Sequence, residues 1–389
     1  MYSEKLELFR DLYGGKFPEF IFKEIYKNAK TYGRFNGREY NWKKYYLKSH
    51  GRFSNAVASL YRCNKILDKF DTKKESLVDK IVQDLRIDGY SAVPNFLTSN
   101  QIKSIKNDVL DYKFFDTSGN NILKLSDVKK RKIDLAPRYT SFFGNELIKK
   151  DTELWKLIIN PFFADISQKY FEANTYVSSL TYMYSPNPMR KIKTIEDVNS
   201  ATSFHFDYSH FKFLKFFIYL TDVETIEDGP HVYIKKTHGS NFLYPKKKSE
   251  FKYYRFHENG KIEGTVKSEF YESKVKENIV THFFPAGSLI IEDTSGMHRG
   301  SQVSSSKPRE MLSLLHSISN YGGIQPGEQP MIENSKSIND KNYLFPILEK
   351  SRKIQEKIYA QENLLTFSSV LREKYYALNK KLLNINLKA

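Results

Sequence analysis

From about Thr175 to Ile318 the chain is cut into short runs rich in β-branched and aromatic residues, separated by turn residues, and this spacing constrains the fold more than any other feature. The runs are Tyr176 to Tyr184, Lys212 to Leu220, His231 to Ile234, Val280 to Phe284, Ser288 to Ile291 and Met311 to Ile318. Several short strands at such intervals argue for a sandwich or barrel. The Lys- and Tyr-rich segment 241–277, with a turn at Glu258-Asn259-Gly260, reads as an insertion between strands. The flanks are helical in pattern. Leu6, Leu8, Phe9 and Leu12 can share one face, as can Ala56, Leu60 and Ile66, with breaks at Gly14-Gly15 and from Gly33 to Gly37. An amphipathic helix from Ser76 to Leu85 leads through Asp88-Gly89 into a strand at Tyr90 to Val93. Thr98-Ser99-Asn100-Gln101 then caps a helix carrying Ile102, Ile105 and Val109. Residues 340–389 return to helical patterning.

Composition sets the class. The 389 residues are 40% hydrophobic and 28% charged, enough to bury a large core and to exclude general disorder. Cys63 is the only cysteine, which excludes an intramolecular disulfide, a cysteine zinc site and an iron–sulfur cluster. The start, Met1-Tyr2-Ser3-Glu4-Lys5-Leu6-Glu7, lacks the apolar core of a signal peptide. The apolar stretch Phe213 to Leu220 is far short of a membrane span and contains Lys215. The expectation is a soluble protein of a reducing, cytoplasmic compartment. The net charge of +17 favours anionic partners such as phosphates, carboxylates, CoA-like molecules, nucleic acid or membrane surfaces, without choosing among them. A solvated Lys-rich surface accounts for it equally well.

Two histidines sit in informative contexts. In Ser203-Phe204-His205-Phe206-Asp207-Tyr208, strand geometry points His205 and Asp207 to the same face. In Gly287 to His298, an apolar strand runs through a polar turn to His298. Two imidazoles and one carboxylate on a rigid β scaffold make the facial triad of non-haem Fe(II) oxygenases, which leaves three positions open for a chelating cosubstrate and O2. Arg309, 11 residues past His298, precedes the apolar run Met311 to Leu315 and can point back inward, where a guanidinium suits a carboxylate. Taken singly, His-x-Asp is an ordinary exposed strand pair and His298 an ordinary histidine. Their joint order is far more selective.

From about Asp84 to Ser319 the sequence resembles the phytanoyl-CoA dioxygenase-like family of Fe(II)/2-oxoglutarate oxygenases. The resemblance lies in RIDGYSAVPNFLTSNQIKSI, HFDYSH, LKFFIYLTDVETIEDGPHVYIKKTHGS and GMHRGSQVSSSKPR. It implies a mainly β (α+β) fold with flanking helices on a double-stranded β-helix, a cupin-like jelly roll. Residues 1–75 and 326–389 would be helical extensions of a 76–325 catalytic domain. It implies that His205, Asp207 and His298 hold Fe(II), that Arg309 binds the 2-oxoglutarate C5 carboxylate, and that Ser301 adds a hydroxyl to the cosubstrate. Tyr182 and Tyr184, which share a strand face, would line the cosubstrate pocket or serve as ordinary core aromatics. The implied reaction couples oxidation of a primary substrate to decarboxylation of 2-oxoglutarate with O2, giving succinate and CO2. A carboxylate at Asp207 favours hydroxylation, since related halogenases carry a small residue there.

Departures from the pattern touch the substrate rather than the iron. Lys235-Lys236 replaces the usual Pro-Gly, and the 241–277 insertion is long. The favoured substrate is a small or conjugated metabolite, with an anionic one compatible with the charge. Hydroxylation of a glycan, protein or nucleic acid is a second reading, nucleic acid ranking low because no aromatic-and-Arg stacking motif stands out. A jelly-roll binding module without catalysis is a third. Lys215 would reach inward to an anion or outward to solvent. His210, His238 and Arg138 fall near the site, Lys246 to Lys248 read as a solvated loop, and Cys63 reads as a buried apolar residue.

Overall fold

The computed structural model describes residues 2–31, 45, 49, 51–62, 76–110, 112–116, 122–130, 139–142, 152–158, 160–173, 175–187, 202–207, 210–239, 245–256, 262–318 and 332–333. Its helices are α1 (Tyr2–Tyr13), α2 (Glu19–Thr31), α3 (Arg52–Tyr61), α4 (Leu77–Ile87), α5 (Ser99–Asp108), α6 (Leu125–Lys130), α7 (Glu153–Ile158), α8 (Pro161–Phe171) and α9 (Ser268–Val275). Its strands are β1 (Tyr90–Val93), β2 (Lys113–Asp116), β3 (Ile122–Lys124), β4 (Tyr139–Phe142), β5 (Tyr176–Ser185), β6 (Phe213–Tyr219) and β7 (His231–Ile234). They continue as β8 (Phe251–Phe256), β9 (Ile262–Val266), β10 (Ile279–His282), β11 (Leu289–Glu292), β12 (His298–Gly300), β13 (Arg309–Ser317) and β14 (Ile332–Glu333).

The two capped helices start where side chains can take up free backbone N–H groups. Ser76 and Asp79 form a reciprocal capping box on α4, and Thr98 and Gln101 form another on α5. The strands form a nine-stranded sheet in the order β1-β11-β6-β13-β5-β4-β2-β3, with β14 also on β5, and a three-stranded sheet β10-β7-β12. All pairings are antiparallel. The pair of sheets makes an open roll, a double-stranded β-helix whose edges do not close into a barrel.

Alternation sorts the side chains of the large sheet. On one face, Phe217, Tyr219, Ile290 and Met311 form a cluster with Val223, turned toward the three-stranded sheet, where the Phe217 ring lies 4.7 Å from His231. On the other face, Phe216 meets Phe163 of α8 at 5.0 Å. The strand expectations hold within a residue or two, and β1 and β7 coincide with theirs. The insertion carries the β8–β9 hairpin and α9, while its Glu258-Asn259-Gly260 turn lies outside the described residues, as do Gly33 to Gly37, Ile66 and residues 340–389.

One difference concerns α1. Its buried stripe is Leu6, Phe9 and Tyr13, whereas Leu8 and Leu12 are 41% and 36% exposed. The i, i+3, i+7 row is the one turned toward α2 and α3, and a helix buries only the stripe that meets neighbours. These N-terminal helices share one hydrophobic cluster with the roll. Phe53 of α3 packs on Phe17 and on Phe211, each at 5.9 Å, and Arg62 pairs with Glu172 just past α8 at 3.0 Å. Among the described residues no helix is long and apolar enough to cross a membrane.

Phe53 is fully buried at this junction. Phe53→Ala is expected to lower stability by about 3–5 kcal/mol, read as a drop in the urea midpoint with an unchanged slope.

Candidate metal centre

The centre is assembled by backbone pairing. His205 N–H donates to His298 O at 3.0 Å, and His298 N–H returns the bond to His205 O at 2.9 Å. Asp207 N–H donates to Thr294 O at 2.7 Å, which continues the pairing along the same two segments. Strand parity then sends His205 and Asp207 to one side, next to His298. The imidazole centroids are 4.3 Å apart. His205 Nε2 lies 3.9 Å from Asp207 Oδ1, and His298 Nε2 lies 3.3 Å from Asp207 Oδ2. One ligand atom from each residue falls within 4.8 Å of the others, a separation that a single ion can bridge.

The turn that presents His298 is itself held from below. Asp293 Oδ1 accepts from Ser295 Oγ at 2.6 Å and from Ser295 N–H at 3.1 Å. Asp293 Oδ2 takes Lys212 Nζ at 2.5 Å and the Tyr170 hydroxyl at 2.8 Å. Lys212 and Asp293 are both buried. A Cβ at Gly296 would run into the Tyr233 hydroxyl, which donates to Asp293 O at 2.9 Å, so the turn needs glycine there.

The donor chemistry fits a divalent ion. His205 Nδ1 lies 2.8 Å from Ser203 O, and His298 Nδ1 lies 3.0 Å from Gly296 O. Nδ1 must donate to a carbonyl, so in the neutral ring Nε2 carries the lone pair, and both Nε2 atoms face Asp207. Burial, with His298 adding to it, pushes the His205 imidazole down to about 3, which keeps it neutral. For His298, burial opposes the charged form, but Asp207 as charge and hydrogen-bond partner outweighs it and holds the imidazole above its ordinary value. Burial alone would raise Asp207, yet Lys215 and His298 hold it well below the usual carboxylate range. A cation bound at this centre would displace the proton that His298 and Asp207 compete for.

Arg309 and Ser301 are brought to the same region. Arg309 lies on the β13 face shared with Met311, is buried, and donates through Nη1 to Gly229 O. Its Nε and the Ser301 hydroxyl are buried without a hydrogen-bond partner among the described residues, a cost that an acceptor placed there would remove. Tyr219, pushed up to about 12 chiefly by burial, feels the Arg309 charge.

Tyr182 and Tyr184 do not join them. Arg309 is paired with Ser185 and Met311 with Met183, whereas Tyr184 is opposite Glu310 and Tyr182 opposite Leu312. Paired residues of antiparallel strands share a face, so both tyrosines lie on the far side of the sheet. There the Tyr182 hydroxyl donates to Glu310, and Lys129 sits 5.6 Å over the Tyr184 ring. Lys215 turns inward, with Nζ 2.8 Å from Asp207 Oδ2. His210 packs on Phe213 and His238 beside Gly89, both buried and outside the triad, while Lys246 to Lys248 are exposed. Arg138 and Cys63 lie outside the described residues.

Sequence reasoning missed a second buried cluster. Glu292 takes His231 Nε2 at 2.8 Å and His282 Nε2 at 3.2 Å, all three inside the roll, with the His231 ring 5.7 Å from His298. Burial works against the charged Glu292, yet the two imidazoles hold it down at about 2. A charged residue two places past Ile290 on a buried strand was the available signal.

The family model described as Phytanoyl-CoA dioxygenase (PhyH) matches residues 85–311. The chain belongs to the phytanoyl-CoA dioxygenase family. Enzymes of this family depend on Fe(II), 2-oxoglutarate and O2, and this member is an oxygenase-type enzyme of that kind. Similar solved structures include the non-heme alpha ketoglutarate dependent epimerase SnoN from nogalamycin biosynthesis, at 13% identity and TM-score 0.42, covering 68% of this chain and 96% of that one. The carbocyclase SnoK from the same biosynthesis shows 16% identity and TM-score 0.40, covering 66% and 90%. HygX from Streptomyces hygroscopicus, with nickel and 2-oxoglutarate bound, shows 12% identity and TM-score 0.41, covering 64% and 88%. None of the curated proteins matches the sequence significantly.

Removing one partner of the Lys212–Asp293 pair strands a buried charge. Lys212→Met is expected to cost about 3–5 kcal/mol. Asp293 is held at about 2, below its ordinary 3.8, chiefly by Lys212 against burial. A depressed value stabilises the fold above the unfolded pKa, and that gain is lost as pH falls toward the folded one. Urea midpoints of the metal-free protein should therefore fall between about pH 5 and about pH 2, and less steeply in Lys212→Met.

Proposed function

We propose that this family member hydroxylates a small or conjugated metabolite, with His205, Asp207 and His298 as the ligands of Fe(II) and Arg309 and Ser301 as the anchor of the 2-oxoglutarate C5 carboxylate. The observation that carries the reading is the convergence of two Nε2 lone pairs and one carboxylate within 4.8 Å. Ferrous iron held there supplies the activation of O2, coupled to conversion of 2-oxoglutarate into succinate and CO2.

The chain's own work is placement. The carbonyls of Ser203 and Gly296 fix both imidazole tautomers, so the rings need no rearrangement when a cation arrives. Three ligands on one side leave the opposite side for cosubstrate and O2. Arg309 neutralises the far carboxylate inside the roll, where Phe217, Ile290 and Met311 keep water away. The Asp207 carboxylate occupies the position that halide takes in related halogenases, which favours return of a hydroxyl group. The net charge of +17 favours an anionic substrate. Ferrous chemistry and a single cysteine suit a reducing, cytoplasmic compartment.

The test is anaerobic loading with Fe(II) and 2-oxoglutarate, followed by exposure to O2 and measurement of succinate with and without metabolite pools. His205→Ala and Asp207→Ala should abolish both metal binding and turnover. Arg309→Ala should raise the 2-oxoglutarate requirement about tenfold to a hundredfold, the loss of a charge-assisted pair, with little effect on metal affinity. A wild-type protein that binds no divalent metal would sink the reading.

A further inference from the structure

Lys215 is a charged residue in the middle of a buried strand. Its neighbours Leu214 and Phe216 are buried, and its ladder partners are Glu292 on β11 and Leu315 on β13. Paired on both sides, the Lys215 backbone has no freedom to shift, and its side chain is directed into the roll. Nζ meets Asp207 Oδ2 at 2.8 Å, the same oxygen that lies 3.3 Å from His298 Nε2. The Lys215 side chain remains 21% exposed.

We propose that Lys215 is a positioning residue that holds Asp207 to a single ligating oxygen. The inference rests on the metal-centre reading above. A carboxylate can grip a cation with one oxygen or two. An ammonium bonded to Oδ2 restrains the carboxylate rotation and competes with a cation for that oxygen as a second ligand. The position that a two-oxygen grip would fill then stays open to the chelating end of the oxo acid. The same ammonium has two further effects. It compensates the Asp207 charge in the metal-free protein, so an arriving cation must compete with an existing ion pair. It also places a positive charge beside the site of a dianionic cosubstrate. Both effects act in the same directions as the geometric one: Lys215 weakens metal binding and strengthens oxo-acid binding.

The opposed signs give the test. Mn(II), which binds without O2 chemistry, is titrated calorimetrically into wild type, Lys215→Met and Lys215→Arg, and 2-oxoglutarate is then titrated into each Mn(II)-loaded protein. Lys215→Met should bind Mn(II) about tenfold more tightly and 2-oxoglutarate about tenfold more weakly than wild type. Lys215→Arg, which keeps the charge, should stay near wild type for Mn(II). If Lys215→Met weakens both ligands together, or changes neither while its circular dichroism matches wild type, the positioning role is overturned and the metal centre stands. If wild type itself takes up no Mn(II), both the centre and the role of Lys215 are overturned.

Discussion

The two backbone hydrogen bonds exchanged by His205 and His298 are what the rest of the structure serves. They zip a segment near residue 205 to the edge of the three-stranded sheet. Once they form, strand parity alone brings Asp207 to the same side as both imidazoles. Side-chain packing is not required to choose which groups meet. It is required to keep the second segment in place, and here the buried Asp293 contributes most. Its carboxylate gathers Lys212, Tyr170 and Ser295, so the turn before His298 is tied to the connection into β6 and to α8 at once.

The interior of the roll is unusually charged for a β core, and the pattern of pairing is informative. Asp207 has Lys215, Asp293 has Lys212, and Glu292 has two imidazoles. Each buried carboxylate thus meets the requirement that a charge removed from water have a partner. Arg309 departs from this rule. Among the described residues it finds only the carbonyl of Gly229, and its Nε and the Ser301 hydroxyl are left with unmet capacity. That unmet capacity beside Gly229 is where the proposed carboxylate would be taken up.

The legible part of this molecule was local. His-x-Asp parity, the strand runs and the caps at Ser76 and Thr98 depend on neighbours in sequence, and they appear where spacing puts them. What was hidden depends on register. The spacing of Tyr182 and Tyr184 says that they share a face, but only their alignment with Leu312 and Glu310 says which one. Leu8 and Leu12 fit a helical stripe, yet the packing of α2 and α3 selects a different stripe. His231, Glu292 and His282 come from three separate strands, and no spacing rule brings three such strands together. The direction of Lys215 was ambiguous for the same reason, since it follows from which face of β6 turns toward Asp207.

Phe211 and Lys212 are adjacent, and they look in different directions. One ring lies against Phe53 in the N-terminal helices, while the neighbouring ammonium anchors the turn before His298. The hinge between them is a single peptide unit. Loss of the amino-terminal helices would uncover Phe211, one residue from the lysine that anchors the turn before the distal histidine. Damage to the helical junction is therefore expected to reach the metal centre through one peptide unit, although the family pattern itself begins only at residue 85.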